Sequence, residues 1–172
     1  MYKFLARLIT PRDSHAAVRP LWHAVVARAR DPQWYAGLGL ADSLAGRFDA
    51  ITLVLALVLL RLEASPPMIP ASVRLTELFV TDMDGQLRES GVGDLVVGKH
   101  IGRLMGVLGG RLGALRTALA ADADAALLVA AVARNMTMIE GAGPEPLAAA
   151  ARALAQRLAT RDDAAILAGD LA

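Results

Sequence analysis

The most apolar stretch of the chain runs from Ala50 to Leu60 and is flanked by the charged residues Asp49 and Arg61. Eleven residues of α-helix span roughly 16 Å, whereas the hydrocarbon core of a bilayer is about 30 Å thick. The stretch is therefore too short to cross a membrane as a helix. It predicts a buried central helix around which the rest of the chain must pack.

Composition indicates that the packing partners are helices too. Of the 172 residues, 55% are hydrophobic and only 4% are aromatic, with alanine and leucine, two good helix formers, in the majority. No Asn-Gly or Asp-Gly turn lies between alternating apolar runs, so hairpin signals are lacking. The length suits one domain with a sizeable core. We therefore predict an all-α fold, a single-domain bundle of about seven helices over residues 1–172.

Charge and cysteine content exclude several classes of function. Eighteen basic residues nearly balance seventeen acidic residues, and a general DNA-binding protein needs a larger basic excess. The chain has no cysteine, which rules out disulfides, thiol catalysis and cysteine-ligated metals. Its N-terminus lacks the apolar core of a signal peptide, so a cytoplasmic location is the expectation.

The motifs that resemble enzyme or cofactor sites fail at decisive positions. Residues 93–100 nearly match the phosphate-loop spacing, but His100 stands where a hydroxyl must hold magnesium. The other two histidines, His15 and His23, have no ligand-type partner four residues away. The sequence therefore predicts no catalytic residue, no cofactor and no metal.

A helix, a tight corner and a second helix are predicted over residues 79–111. The two glycines in Gly91-Val92-Gly93 supply backbone angles that other residues avoid, and Asp94 is a good N-cap for the next helix. Charged residues crowd this corner, which makes it the predicted working surface. They are Asp82, Asp84, Arg88, Glu89, Asp94, Lys99, Arg103 and Arg111.

The second of these helices carries a stripe of glycines at spacings of three and four, and each costs an exposed helix about 1 kcal/mol relative to alanine. Either a neighbouring helix of the same chain packs closely on the stripe, or the stripe is a groove for a partner's helix. Lys99 and Arg103 share a face at its edge, where they could hold an apolar helix with an acidic flank. The glycine stripe consists of Gly102, Gly106, Gly109, Gly110 and Gly113.

An ordered set of motifs resembles the ubiquinol–cytochrome c chaperone family. The resemblance covers about residues 18–112, whereas residues 121–172 carry little of it and are predicted only to be helical. The motifs are Ala29-Arg30-Asp31-Pro32, Trp34-Tyr35, Leu38-Gly39-Leu40, Asp42, Gly46-Arg47-Phe48-Asp49, Arg61-Leu62, Asp82-Met83-Asp84, Leu87-Arg88-Glu89, Gly91-Val92-Gly93-Asp94, Lys99 and Gly110-Arg111.

The resemblance implies an α-helical assembly factor that is not an enzyme. Mitochondrial members of the family bind newly made cytochrome b of the cytochrome bc1 complex, work with a small partner protein and contact the ribosome. By resemblance, the charged residues of the corner are the candidate contacts, and Gly102, Gly106 and Gly110 join them because of the glycine stripe. The implied location is the cytoplasm, peripheral to the inner membrane, in a bacterium, or the matrix side in a mitochondrion.

A membrane-peripheral or lipid-binding protein is the alternative function. Residues Tyr2 to Ile9 form a short amphipathic segment, with apolar side chains interrupted by Lys3 and Arg7. Such a segment either packs on the domain or makes a weak contact with a membrane surface. Both the chaperone and the lipid-binding hypotheses remain open at this point.

Overall fold

The computed structural model describes residues 14–89 and 94–171, which form one helical domain. The predicted segment Tyr2–Ile9 and the corner Gly91–Gly93 lie outside these residues. The described part contains eight α-helices and no strand, so the predicted all-α bundle is confirmed. The helices are α1 (Arg19–Ala29), α2 (Gln33–Ala36), α3 (Leu44–Glu63), α4 (Ile69–Glu89), α5 (Asp94–Ala118), α6 (Ala125–Asn135), α7 (Glu145–Thr160) and α8 (Asp163–Leu167).

Helix α3 is the centre of the bundle, as its apolar sequence predicts. It packs against α1, α4, α5 and α7, and its residues from Leu53 to Val58 are at most 2% exposed. The helix begins after Ser43, whose hydroxyl accepts a hydrogen bond of 3.1 Å from the amide of Gly46. No helix in the described ranges is both long enough and apolar enough to cross a membrane.

The sequence predicts a helix from Asp122 or Asp124 to about Met138, but α6 ends earlier, at Asn135. The following residues pair with the loop before α3 instead of continuing the helix. The amide of Ala41 donates to the carbonyl of Thr137 (2.8 Å), and the amide of Ile139 donates to the carbonyl of Gly39 (2.9 Å). Leu40 and Met138 thereby form an isolated antiparallel bridge. The long-range pairing overrides the local helical pattern.

The C-terminal segment, for which the sequence predicts only a weak helix or a tail, packs onto the domain. Ile166 and Leu171 are 0% and 5% exposed. Arg61 of α3 bonds the end of α7, donating to the carbonyl of Leu158 (3.0 Å) and to the carbonyl of Arg161 (2.6 Å). A cation at a helix C-terminus satisfies carbonyl groups that lack a partner within the helix.

We expect Ser65→Ala to reduce the sensitivity of the fold to acid. Hydrogen bonds from Ser65 (2.6 Å) and from Arg61 (2.9 Å) hold the pKa of Asp163 below its ordinary value. A carboxylate with a lowered pKa stabilises the fold above its unfolded pKa, and this stabilisation is lost as the pH falls through the folded pKa. Without the Ser65 hydroxyl the pKa of Asp163 rises, so less stability remains to be lost.

Urea unfolding midpoints between neutral pH and about pH 3 would measure the effect. Thr117→Ala is the matched control, because its exposed hydroxyl bonds the backbone carbonyl of Gly113 instead of a carboxylate. An acid-induced drop in midpoint that is the same in Ser65→Ala as in the unaltered protein would contradict the prediction.

Candidate protein-binding groove

A groove of about 1160 Å³ opens where α1, α2, the first half of α3, the end of α4 and α5 meet. Its floor is apolar and comes from three helices. Met83 is 7% exposed, and the other floor residues are half-buried, so the described chain leaves part of their apolar surface uncovered. The floor residues are Phe48, Ile51, Met83, Leu104 and Val107.

The rim of the groove carries a net positive charge. Arg47 donates from Nε to Asp42 (2.7 Å), a hydrogen bond that lowers the pKa of Asp42 and raises the pKa of Arg47, so the pair is ionised and neutral overall. Arg30 and Arg103 also line the groove and are exposed. Neither forms an ion pair with any residue that the structure describes. These two arginines therefore present uncompensated positive charge.

The wall formed by α2 is held in place by hydrogen bonds to the end of α1. The indole of Trp34 donates to the carbonyl of Arg28 (2.7 Å), and the hydroxyl of Tyr35 donates to the carbonyl of Ala29 (2.9 Å). Burial raises the pKa of Tyr35, which keeps its hydroxyl protonated as a donor. At the mouth of the groove, Leu44 is 89% exposed. The groove therefore has a wall held by two hydrogen bonds, with an exposed leucine at its mouth.

Arg111 forms the base of the groove and is buried, with 6% of its surface exposed. Its guanidinium donates to Thr52 and to Asp49 on α3, and to the carbonyl of Asn135 (2.6 Å) at the end of α6. The guanidinium also lies over the ring of Phe48, 5.8 Å from its centre. The sequence predicts that Arg111 contacts a partner, but in the structure its side chain links α3, α5 and α6.

Of the acidic candidates of the corner, Asp82, Asp84 and Glu89 do not line the groove. Asp82 accepts a hydrogen bond from the indole of Trp22 (3.2 Å), and Asp84 pairs with Arg88 one turn along α4 (2.7 Å). Glu89 is exposed at the end of α4. Asp94 is the first residue of α5, and its side chain lies outside the described part of the structure. Within the described residues, Asp82 and Asp84 each have a partner on the chain itself, and their contact with another protein stays a prediction.

The glycine stripe is an open face of α5. A methyl group added at any of its five glycines would meet no described atom within 4 Å, apart from the backbone of α5 itself. Close packing by a neighbouring helix therefore does not explain these glycines in the described ranges. Lys99 and Arg103 are exposed beside the stripe.

A groove over the glycine stripe is one of the two alternatives that the sequence leaves open, but the groove in the structure does not lie over the stripe. The groove-lining residues of α5 are centred roughly 140° around the helix from the glycines, at 100° per residue. Arg103 lies between the two faces and lines the groove. Whether Lys99 and the glycines Gly102, Gly106 and Gly110 contact a partner stays a prediction.

Two ionisable groups of the groove are held by neighbouring residues of the chain. The carboxylate of Asp42 is neutralised by Arg47, and the phenol of Tyr35 is a fixed donor. Over residues 14–89 and 94–171 no cluster of histidine, aspartate and glutamate could hold a metal ion.

A model of the family described as ubiquinol–cytochrome c chaperone matches residues 36–172. The chain belongs to this family. The chain is similar to a crystal structure of the Cbp3 homolog from Brucella abortus, with 31% sequence identity and a TM-score of 0.78 over 99% of this chain and 94% of that one. None of the curated proteins matches the chain. The family match includes residues 121–172, where the sequence analysis found little resemblance.

The family motif Gly46-Arg47-Phe48-Asp49 serves two purposes in this chaperone-family fold. Arg47 and Phe48 line the groove, whereas Asp49 bonds Arg111 and accepts from the amide of Thr137 (2.7 Å). The motif therefore positions the groove relative to α5 and α6. The sequence alone predicts no contact for this motif, because the fold that brings it beside α5 is not visible in a linear pattern.

Proposed function

We propose that this protein is an assembly chaperone for ubiquinol–cytochrome c reductase that holds an apolar segment of a membrane-protein client. The proposed client is cytochrome b, and the protein acts without cofactor, nucleotide or chemical transformation. The family supports the chaperone role, and the groove is the observation that supports client binding. Its apolar floor, the exposed Leu44, and Arg30 and Arg103, which have no ion-pair partner among the described residues, are the features of a binding surface.

Shielding is the proposed mechanism. A membrane helix that has not yet been inserted exposes apolar side chains to water, and covering them is favourable by roughly 25 cal/mol per Å² of apolar surface. The floor of the groove offers partly uncovered apolar surface for this purpose. The client would remain covered until it is inserted or joins its partner subunits.

The resemblance also supports proposals on partners and place. A small partner protein and the ribosome are the further contacts that we propose, with Lys99 and the open glycine face of α5 available to them. The protein would work on the cytoplasmic side of the inner membrane in a bacterium, or in the mitochondrial matrix. Its solved relative carries the name of a Cbp3 homolog.

We expect Leu44→Asp combined with Arg103→Glu to reduce recovery of newly made cytochrome b by about tenfold or more, which corresponds to about 1.4 kcal/mol. The change places negative charge at the mouth and rim of the groove, where an apolar segment would lose its contacts. Co-purification of cytochrome b with the tagged full-length protein, after pulse labelling of the cells, measures the effect. Both residues are exposed, so the fold should be retained.

Leu127→Asp is the matched control, because Leu127 is also an exposed leucine in the first turn of a helix but lies on α6, away from the groove. Gly106→Gln tests the open glycine face separately. Full recovery with the groove variant, together with loss in Gly106→Gln, would overturn the groove as the client site. Equal recovery in all variants would contradict client binding at both faces.

A further inference from the structure

We infer that the groove takes one amphipathic helix of about ten residues that presents aliphatic side chains to the floor and a carboxylate to Arg103 and Arg30. The inference rests on the proposed function, since it names the chemistry of the segment held at the same site. It concerns the occupant's shape and charge, which family membership does not specify.

The size of the groove matches a short length of helix. A helix with its side chains is roughly 10 Å across, so its cross-section is about 80 Å². A volume of about 1160 Å³ therefore accommodates at least about 15 Å of helix, or about ten residues at 1.5 Å each. Ten residues make nearly three turns, which is enough for apolar side chains at spacings of three and four to meet the floor.

The positive charge of the groove favours a bound helix that carries an acidic residue along one edge. Arg30 at the end of α1 and Arg103 on α5 lie on different walls, and neither is paired with a described acidic residue. Arg47 and Arg111 are already neutralised by Asp42 and Asp49. Among the groove arginines, and within the part of the chain that the structure describes, only Arg30 and Arg103 are therefore available to an occupant. The chain as a whole has a net charge of +1, so this positive pair is a local feature and not a general basic surface.

Of the two arginines, Arg103 contributes more to the preference for an acidic occupant. Arg103 lies between the groove and the open glycine face of α5. A helix that lies on the floor of the groove would therefore have the guanidinium of Arg103 along one edge. A guanidinium can bind a carboxylate through two parallel hydrogen bonds, which adds directional specificity to the attraction. Because the site is exposed, the attraction should weaken as salt concentration rises.

Two synthetic helical peptides test the inference with the full-length protein. Both carry leucine at positions i, i+3, i+4 and i+7, and they differ only in one edge residue, glutamate or lysine. We expect the glutamate peptide to bind about tenfold more tightly in fluorescence polarisation, a difference of about 1.4 kcal/mol. Arg103→Met should weaken the preference while retaining binding of both peptides, because Arg30 remains, and Arg103→Glu should remove it, because the new carboxylate offsets Arg30. Arg134→Glu, an exposed arginine on α6, is the control that should change nothing.

Three results would overturn the inference: binding without charge preference, preference for lysine, or no binding of either peptide. Vesicles of phosphatidylcholine with phosphatidylglycerol form a further arm, and vesicle binding that Arg103→Glu removes would assign the groove to a lipid surface. The experiments distinguish failure of the proposed function from failure of this inference. A protein that prefers the glutamate peptide but never recovers cytochrome b has a different client, whereas Leu44-dependent recovery of cytochrome b without charge preference contradicts only the inference.

Discussion

Arg111→Met is expected to lower the free energy of unfolding by about 3–5 kcal/mol, because it leaves the buried carboxylate of Asp49 without its cation. Both side chains are 7% exposed, so water cannot replace the lost partner. The carbonyl of Asn135 and the hydroxyl of Thr52 lose a donor at the same time. Urea denaturation followed by circular dichroism at neutral pH measures the loss.

Arg116→Met is the matched control. It removes an arginine from the same helix and breaks an ion pair with Glu63, but these side chains are 55% and 37% exposed. Exposed pairs contribute about 0–1 kcal/mol. The double change Asp49→Leu with Arg111→Met should recover part of the loss, since it removes both buried charges. A similar cost for Arg111→Met and Arg116→Met would show that the buried link does not hold the helices together.

Gly46→Ala is expected to destabilise the protein by about 2–3 kcal/mol, whereas Gly106→Ala should stabilise it by up to about 1 kcal/mol. A methyl group at Gly46 would overlap the backbone carbonyl of Ala41, which folds over the start of α3. A methyl group at Gly106 meets no described atom, apart from nearby backbone of α5. The same substitution in two helices should therefore have opposite signs.

Thermal and urea unfolding of the two variants and of the unaltered protein measure these two changes in stability. A stabilised Gly46→Ala would show that the loop at Ala41 can move away, and a destabilised Gly106→Ala would show that the glycine face is covered in solution. The Gly106→Ala variant also separates two explanations of the stripe. Retained recovery of cytochrome b in a stabilised protein indicates that the client does not contact this face.

Local patterns were sufficient for the helices and for their main boundaries. The apolar run in α3, the serine at position 43 and the prolines around residue 66 each act on neighbouring backbone, so their effects are visible in the sequence. The end of α6 was predicted too late, because residues 137–139 pair with residues almost a hundred positions earlier in the chain. The packing of the C-terminal segment onto the domain was not foreseen for the same reason.

The charged residues of the predicted surface show the same difference between what local sequence predicts and what depends on packing. Charge density and spacing identified Lys99 and Arg103 as neighbours on one exposed face of α5, since four residues make about one helical turn. The same reasoning could not tell that Arg111, two turns further on, turns inward to Asp49. Its burial depends on α3 carrying a carboxylate at the point where the two helices cross.

Helical periodicity, composition and motif order in this chain were enough to establish an all-α member of the chaperone family, because each acts through local backbone preference or the linear order of residues. The position of the groove required the folded structure. Its walls come from α1, α2, α3, α4 and α5, and only their packing brings Arg30, Leu44 and Arg103 around one apolar floor and turns the glycine stripe towards solvent.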